Sequence, residues 1–148
     1  MGAFTFRAGT GLAVAAATGA AAIENGDGVT LAGGPGNNVK LTAPTGDGDT
    51  IWAIAADDNA ASVDGSYYCG TGNIFTGTIF SGGTDYYLGK SVFYMTSAPA
   101  KTLATDAAGS IAVGKIPVGN LLAQYAANAT NALFIAQLAL TNSSVIGV

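Results

Sequence analysis

YYLGKSVFYMTSAPAKTLATDAAGSIAVGKI, residues 86–116, is the segment from which the fold class of this chain is predicted. It alternates between extended runs and turns. The run SVFYMT, residues 91–96, is aromatic and β-branched, a composition typical of a half-buried strand. A turn follows at Pro99, because proline has no backbone N–H to donate to a ladder. Two further short strands are predicted beyond it, at residues 101–105 and 110–113.

The rest of the chain repeats this pattern of short extended runs bounded by Gly, Asn, Asp and Pro turns. Strands are predicted at residues 29–31, 39–42, 50–55, 66–69, 74–80 and 132–140. The last of these is apolar on both faces, so we expect it to be central. Pro117 predicts a sheet edge or a bulge, and residues 120–126 fit either a short helix or a strand. The predicted fold is all-β, a small barrel or sandwich of short antiparallel strands.

The first 23 residues differ from the remainder in being rich in alanine, but Gly11, Thr18 and Gly19 interrupt the run and no helical period is present. We predict an extended N-terminal arm at 1–23, which gains order by lying on a neighbouring subunit, and a single β domain at 24–148. A first strand of the chain's own sheet is the alternative, since Phe4 and Phe6 alternate with a polar residue. Under the arm hypothesis, the residues that contact a partner are Phe4, Phe6, Arg7, Leu12 and Val14.

The composition is unusually poor in charge for a protein of 148 residues. Only 9% of residues are charged, against about 25% in an ordinary soluble domain. A free monomer with so few charged residues is poorly protected against association. We therefore expect much of the surface to be covered by neighbours in an assembly. The five cations are scattered in a chain of net charge −4, which gives no electrostatic footprint for nucleic acid. The apolar segment 11–23 is too short to span a bilayer, so no membrane partner is predicted.

The residue types that most enzymes need are scarce. The chain has no histidine and one cysteine, Cys69, so Ser-His-Asp triads, Cys-His pairs and intrachain disulfides are excluded. Cys69 is expected to be a buried thiol. The acid pairs Asp47/Asp49 and Asp57/Asp58 offer oxygen ligands for calcium, but turns explain them better. No catalytic residue, cofactor or metal site is therefore predicted.

Three segments, GKSVFYMT at 89–96, KTLAT at 101–105 and DAAGSIAVGKI at 106–116, are followed by a final apolar strand. This order resembles the small capsid decoration proteins of tailed bacteriophages, also called cement or head-fibre proteins. The shared frame is Gly89 followed by the strand Val92–Tyr94, then a variable loop, then a short strand at 111–113 that ends in Val-Gly. The segment TIWAIAA, residues 50–56, is similar to the early strand of that family. The resemblance covers roughly residues 29–140 and is a pattern of strands and turns.

This resemblance implies a compact β domain bound to the outer surface of a virion's capsid. The implied partners are the major capsid protein and two further copies of the chain, in a homotrimer. Repeated copies on a lattice would add avidity to weak individual contacts. The function expected from the resemblance is to stabilise the shell.

Two other functions fit the sequence. A phage fibre or tail module that binds a host-surface glycan would present a groove with nearby acids, lined by Tyr67, Tyr68, Tyr86 or Tyr87. A secreted bacterial surface or matrix protein would require cleavage of the segment GLAVAAATGAAA, residues 11–22, which resembles a weak signal peptide. An enzyme ranks last.

Overall fold

The computed structural model describes residues 4–11, 13–32, 40–45, 49–79, 88–96, 101–104, 115–126 and 129–138. Every regular element in these ranges is a β-strand, and the described residues include no helix able to cross a membrane. The fold is therefore all-β, as the sequence predicts. The strands are β1 (Thr5–Ala8), β2 (Ala13–Ala17), β3 (Gly28–Ala32), β4 (Lys40–Thr42), β5 (Ala53–Ala55), β6 (Asp64–Tyr68), β7 (Thr71–Gly77), β8 (Ser91–Met95), β9 (Leu103–Ala104), β10 (Lys115–Leu121) and β11 (Ala132–Gln137).

The strands form two antiparallel sheets. The first sheet has the order β1-β7-β11-β10-β8-β9, and the second has the order β2-β6-β5-β3-β4. Both sheets curl. In the first, Ile79 just after β7 forms a parallel bridge to Leu103 in β9, so β1 stays outside the closure. In the second, Thr18 just after β2 bridges to Leu41 in β4, which joins the two terminal strands. Hydrogen bonds of 2.8 Å support both contacts, from Leu103 N–H to the Thr78 carbonyl and from Gly19 N–H to the Leu41 carbonyl. Curling of this kind leaves fewer open sheet edges.

The core of the first sheet is a row of aromatic rings across three strands. Phe6, Phe75 and Phe134 lie opposite one another on β1, β7 and β11. The ring centroids are 5.8 Å apart for Phe6–Phe75 and 5.9 Å apart for Phe75–Phe134. Phe4 packs edge-on against Phe134 at 4.9 Å and against Tyr94 at 5.4 Å. These are favourable aromatic geometries in addition to the apolar area that they bury.

Strands β5 and β6 lie between the two cores of the molecule. Ile54 and Tyr68 are cross-strand partners and pack against the first core. Their neighbours Ala55 and Tyr67 are also partners, and they belong to the second core. Successive side chains of a strand point to opposite faces, so this pair of strands contributes to both cores.

Several sequence predictions can be compared with these elements. The strand predicted at 91–96 is β8, and the central strand predicted at 132–140 is β11, which lies between β7 and β10. Pro117 lies at a register shift in β10, so the bulge prediction is confirmed and the edge prediction is wrong. The short helix considered for 120–126 is wrong, because β10 continues to Leu121. The strand predicted at 110–113 lies outside the described residues.

The predicted N-terminal arm is wrong for the residues that the structure describes. β1 pairs with β7 in the first sheet, and β2 pairs with β6 along its whole length in the second. Phe4 is only 3% exposed in the chain's own core. The alternative, a strand of the chain's own sheet, is what the structure shows. The physical reason is that Phe4 packs on Phe134 and Phe6 packs on Phe75 of the same chain, so burial of their apolar surface needs no neighbouring subunit.

Truncation of Phe4 tests whether the N-terminus belongs to the fold. Phe4→Ala should lower the free energy of unfolding by about 3–5 kcal/mol, because it empties a ring-sized space in a packed core. Thr5→Ala, at an exposed position of β1, is the matched control and should change it by less than about 0.5 kcal/mol. Urea titration followed by Trp52 fluorescence measures both. Equal stabilities for the two variants would mean that β1 does not belong to the folded body in solution.

A methyl group added at Gly119 tests the packing of β10 against β11. A Cβ atom there would overlap the Ile135 carbonyl oxygen, which belongs to the backbone and cannot rotate away. Gly119→Ala should therefore cost about 1–3 kcal/mol of stability, seen as a lower midpoint in thermal unfolding. Ser91→Ala, at an exposed position of neighbouring β8, should leave the midpoint nearly unchanged. An unchanged midpoint for Gly119→Ala would contradict the register between β10 and β11.

Candidate functional site

A groove of about 670 Å³ lies between the edge of the first sheet and one end of the second. β1 forms one side of it, and the turns that precede β3 and follow β5 form the other. The groove combines aromatic rings, two carboxylates and a backbone edge. It is lined by Phe4, Thr5, Phe6, Glu24, Asn25, Ala56, Asp58 and Tyr68.

The aromatic wall of the groove joins the two sheets. Phe6 on β1 stacks on Tyr68 on β6, with centroids 4.8 Å apart and planes 15° apart. Phe75 meets both rings edge-on, at 5.8 and 5.6 Å. This wall is held in place by β-sheet pairing on both sides, since β1 pairs with β7 and β6 pairs with β5. A wall fixed in this way presents the same shape to any ligand.

The opposite rim of the groove is acidic. The Asp58 carboxylate accepts a hydrogen bond of 2.9 Å from the Asn25 N–H, which holds the two turns together. The Asp58 N–H donates in turn to the Asp57 carboxylate at 2.8 Å. Glu24 lies 3.7 Å from the Lys101 ammonium, but both side chains are about half exposed, so that pair is weak. No Lys or Arg is among the described lining residues, so the groove has a negative rim.

An ion pair between a buried carboxylate and a half-exposed lysine lies beside the groove. The Lys101 ammonium is 3.0 Å from each oxygen of the Asp27 carboxylate, whose side chain is 11% exposed. Lys101 has a φ of 62°, which is uncommon for a residue with a side chain. Burial, reinforced by the Asp27 carboxylate, raises the pKa of Tyr94. These contacts join the β8–β9 connection to the turn before β3.

The sequence-predicted partner residues occupy different environments. Phe4 lies in the core and Phe6 in the groove wall, so the structure brings these two together. Arg7 is exposed, and its Nε donates to the Thr76 hydroxyl at 3.4 Å. Val14 packs against the second core. Leu12 lies outside the described residues.

The polar groups of the groove were missed by sequence reasoning. Glu24, Asn25 and Asp58 belong to turn clusters that the sequence marks clearly as turns. Nothing in the sequence pairs those clusters, which are more than 30 residues apart. The signal for the groove would have been two acidic turns that each adjoin a buried strand. The pairing of β3 with β5 and the bridge between Ile23 and Asn59 bring the two turns together.

The tyrosines proposed for a glycan site are placed differently from that expectation. Tyr67 is fully buried in the second core, where its hydroxyl lies 2.6 Å from that of Thr18, and burial raises its pKa. Tyr68 does line the groove beside acids, but one face of its ring is covered by Phe6. Tyr86 and Tyr87 lie outside the described residues.

Reactive and metal-binding groups are sparse in the described part of the chain. Cys69 is buried, as predicted, and burial raises the pKa of its thiol, which lowers its reactivity. The described residues contain no group of three or more His, Cys, Asp or Glu able to hold a metal ion. Asp49 accepts hydrogen bonds from the backbone and the hydroxyl of Thr45. Asp47 lies outside the described residues.

Comparison with known proteins identifies no relative for this fold and groove. No family model, no curated protein and no solved structure matches the chain. The function is therefore inferred from the residues of this chain.

The ion pair of Lys101 with Asp27 can be tested by removing its cation. Lys101→Met keeps the length and the backbone strain but leaves the buried Asp27 carboxylate unpaired, so stability should fall by about 1–3 kcal/mol. Lys90→Met is the matched control and should change stability by less than about 0.5 kcal/mol. Both are measured by urea unfolding at neutral pH. A loss no greater for Lys101→Met than for the control would show that the pair does not stabilise the fold.

Proposed function

We propose that this protein is a capsid decoration protein, which binds the outer surface of a phage head and stabilises the shell. The strands β8 and β10 support this most directly. The sequence frame that resembles decoration proteins begins at Gly89 and runs through β8, and β10 begins at Lys115, directly after the frame's Val-Gly. The two strands are adjacent in the sheet, with Tyr94 opposite Ile116 and both side chains in the core. The first part of the frame thus lies in the first sheet, and the frame's strand at 111–113 lies outside the described residues.

The charge-poor surface also supports a role in assembly. The exposed run Ala20–Ala22 carries three methyl side chains and no charge. Leu88 is 68% exposed and Leu122 is 36% exposed. These two leucines lie at the same end of the first sheet, because the neighbouring Gly89 N–H donates to the Leu121 carbonyl at 2.8 Å. Exposed apolar side chains at one end of a sheet are a candidate surface for a protein contact.

The partner in this proposal is the major capsid protein, and the copies sit as homotrimers where capsomers meet. Each contact is small and weak. Many copies on a regular lattice, each touching more than one capsomer, give a large total binding energy without any catalytic group. Such a protein needs a rigid body and a surface of low desolvation cost, and both are features of this chain.

Copy number per particle is the decisive measurement. Heads of the phage that encodes the chain are assembled without it and then mixed with the purified protein. We expect saturable binding at a fixed ratio to the major capsid protein, by quantitative mass spectrometry, and DNA release at a higher temperature in decorated heads. No binding, or copies confined to the tail, would contradict the proposal; the second result would favour a fibre or tail module.

The leucine pair gives a prediction about the contact itself. The double variant Leu88→Asp and Leu122→Asp should fold with nearly unchanged stability but should lower head occupancy at least about tenfold, because a charge would be desolvated in the interface. Val63→Asp changes an equally exposed apolar residue elsewhere on the chain and is the matched control. Occupancy is measured by co-sedimentation with heads. Equal occupancy for the two variants would move the contact to another surface.

Deletion of residues 1–23 is not a clean test of attachment. It would remove β1 from one sheet and β2 from the other, so loss of binding would follow from loss of the fold. Cleavage of the segment 11–22, which the secreted-protein alternative requires, would remove the same two strands. Among the alternatives, the described structure therefore favours those that keep the whole N-terminus.

A further inference from the structure

One side of β1 is an open sheet edge. β1 is the terminal strand of the first sheet and pairs only with β7 among the described residues. The Phe4 N–H points away from β7, since it donates to the Gly26 carbonyl at 3.0 Å. Because backbone N–H directions alternate along a strand, the N–H and C=O of Phe6 lie on that same outer edge. In the described part of the chain, no hydrogen bond joins them to the facing turn.

The groove lies along this open edge. Its lining includes Phe4, Thr5 and Phe6 on one side and Glu24 and Asn25 on the other. An extended peptide placed in it would bring its backbone to Phe6 and its side chains to the aromatic wall and the acidic rim. Addition of a strand to a free edge gives affinity through the main chain and specificity through alternate side chains.

We propose that the groove binds an extended, basic peptide segment of a partner protein as an added strand beside β1. The Phe6 N–H and C=O pair with the peptide backbone. An apolar side chain of the peptide packs on the wall formed by Phe6 and Tyr68. A lysine or arginine of the peptide lies against Asp58, whose carboxylate has no cation partner among the described residues.

The length of the added strand is limited by features of β1 itself. The register with β7 shifts between Phe6 and Ala8, and Gly9 follows with a φ of 125°. Bulges of this kind end strand pairing and protect sheet edges from open-ended aggregation. The edge therefore accepts a short segment centred on Phe6.

The charges of the groove favour a basic partner over a second copy of this chain. The chain has net charge −4 and only five cations, so a second copy would be repelled by the acidic rim. A sugar is also less suited to the site. Phe6 and Tyr68 each cover one face of the other, which reduces the aromatic surface on which a sugar could stack.

The intact chain can be tested with short synthetic peptides. The probes are the acetylated and amidated hexapeptide TVKVTV, its acidic counterpart TVEVTV, and TVKVTV N-methylated at its third and fourth residues. Because adjacent N–H groups lie on opposite edges of a strand, the double methylation blocks both edges. Binding is followed by amide resonances in ¹⁵N spectra of the labelled chain, and edge pairing by hydrogen exchange at the Phe6 N–H.

In the free chain, the Phe6 amide should exchange faster than the amide of Thr5, which faces β7. TVKVTV should shift the resonances of Phe6 and Asn25 and slow exchange at the Phe6 N–H. The methylated peptide should bind at least about tenfold more weakly, because the main-chain hydrogen bonds are lost. TVEVTV should also bind at least about tenfold more weakly, because its carboxylate meets the acidic rim.

A matched pair of protein variants separates the rim from the total charge. Asp58→Asn should weaken binding of TVKVTV by about threefold or more, whereas Asp64→Asn should leave it unchanged. Asp64 is an exposed acid at the far end of β6 from Tyr68. Any of four results would overturn the proposal. The first two are a slowly exchanging Phe6 amide in the free chain and equal binding of TVKVTV and TVEVTV. The other two are undiminished binding of the methylated peptide and a shift of the Phe6 and Asn25 resonances with maltohexaose but not with TVKVTV.

Discussion

The packing of the Phe4 ring is the contact on which the arrangement of the two sheets depends. It touches Phe134 and Tyr94 in the first sheet, and its backbone N–H is bonded to Gly26 at the entry to β3 in the second. The space for the ring exists because Gly77 has no side chain, since a Cβ there would come within 2.9 Å of the ring. An aromatic ring that contacts several strands at once fixes their relative positions because interiors are close-packed.

Charge is used sparingly and at defined places. The buried carboxylate of Asp27 is paired with Lys101, and this pair ties the connection after β8 to the turn before β3. Desolvation makes such a pair a modest source of stability, but an unpaired carboxylate there would be costly. The remaining acids near it, Glu24 and Asp58, form the rim of the groove. Two carboxylates of the described surface therefore lie on the rim of this cavity.

The curled sheets suit a protein that braces other proteins. A parallel bridge joins β2 to β4 at the two ends of the second sheet, and another joins the end of β7 to β9 in the first; both cover edges that would otherwise be open to uncontrolled pairing. β1 keeps an open edge, but a bulge shortens it and a groove surrounds it. An exposed leucine pair lies at another part of the first sheet. A rigid body with few, separate contact surfaces is compatible with repeated copies on a shell.

The sequence by itself determined the class of the fold and many of its strands. The composition of β8, the apolar run of β11 and the bulge at Pro117 are local properties, because side-chain periodicity and the missing proline N–H act within a few residues. The absence of histidine and the single cysteine likewise limited the chemistry without any structure.

Only the tertiary structure decided where the N-terminus lies and where the groove forms. An alternating Phe4 and Phe6 pattern fits an arm and a strand equally well, and the partner rings Phe75 and Phe134 are about 70 and 130 residues away in the chain. The groove likewise needs the turn at Asn25 to meet the turn at Asp58, a contact made by strand pairing. Pairing between distant segments depends on the packing of the whole core, and local pattern carries no information about it.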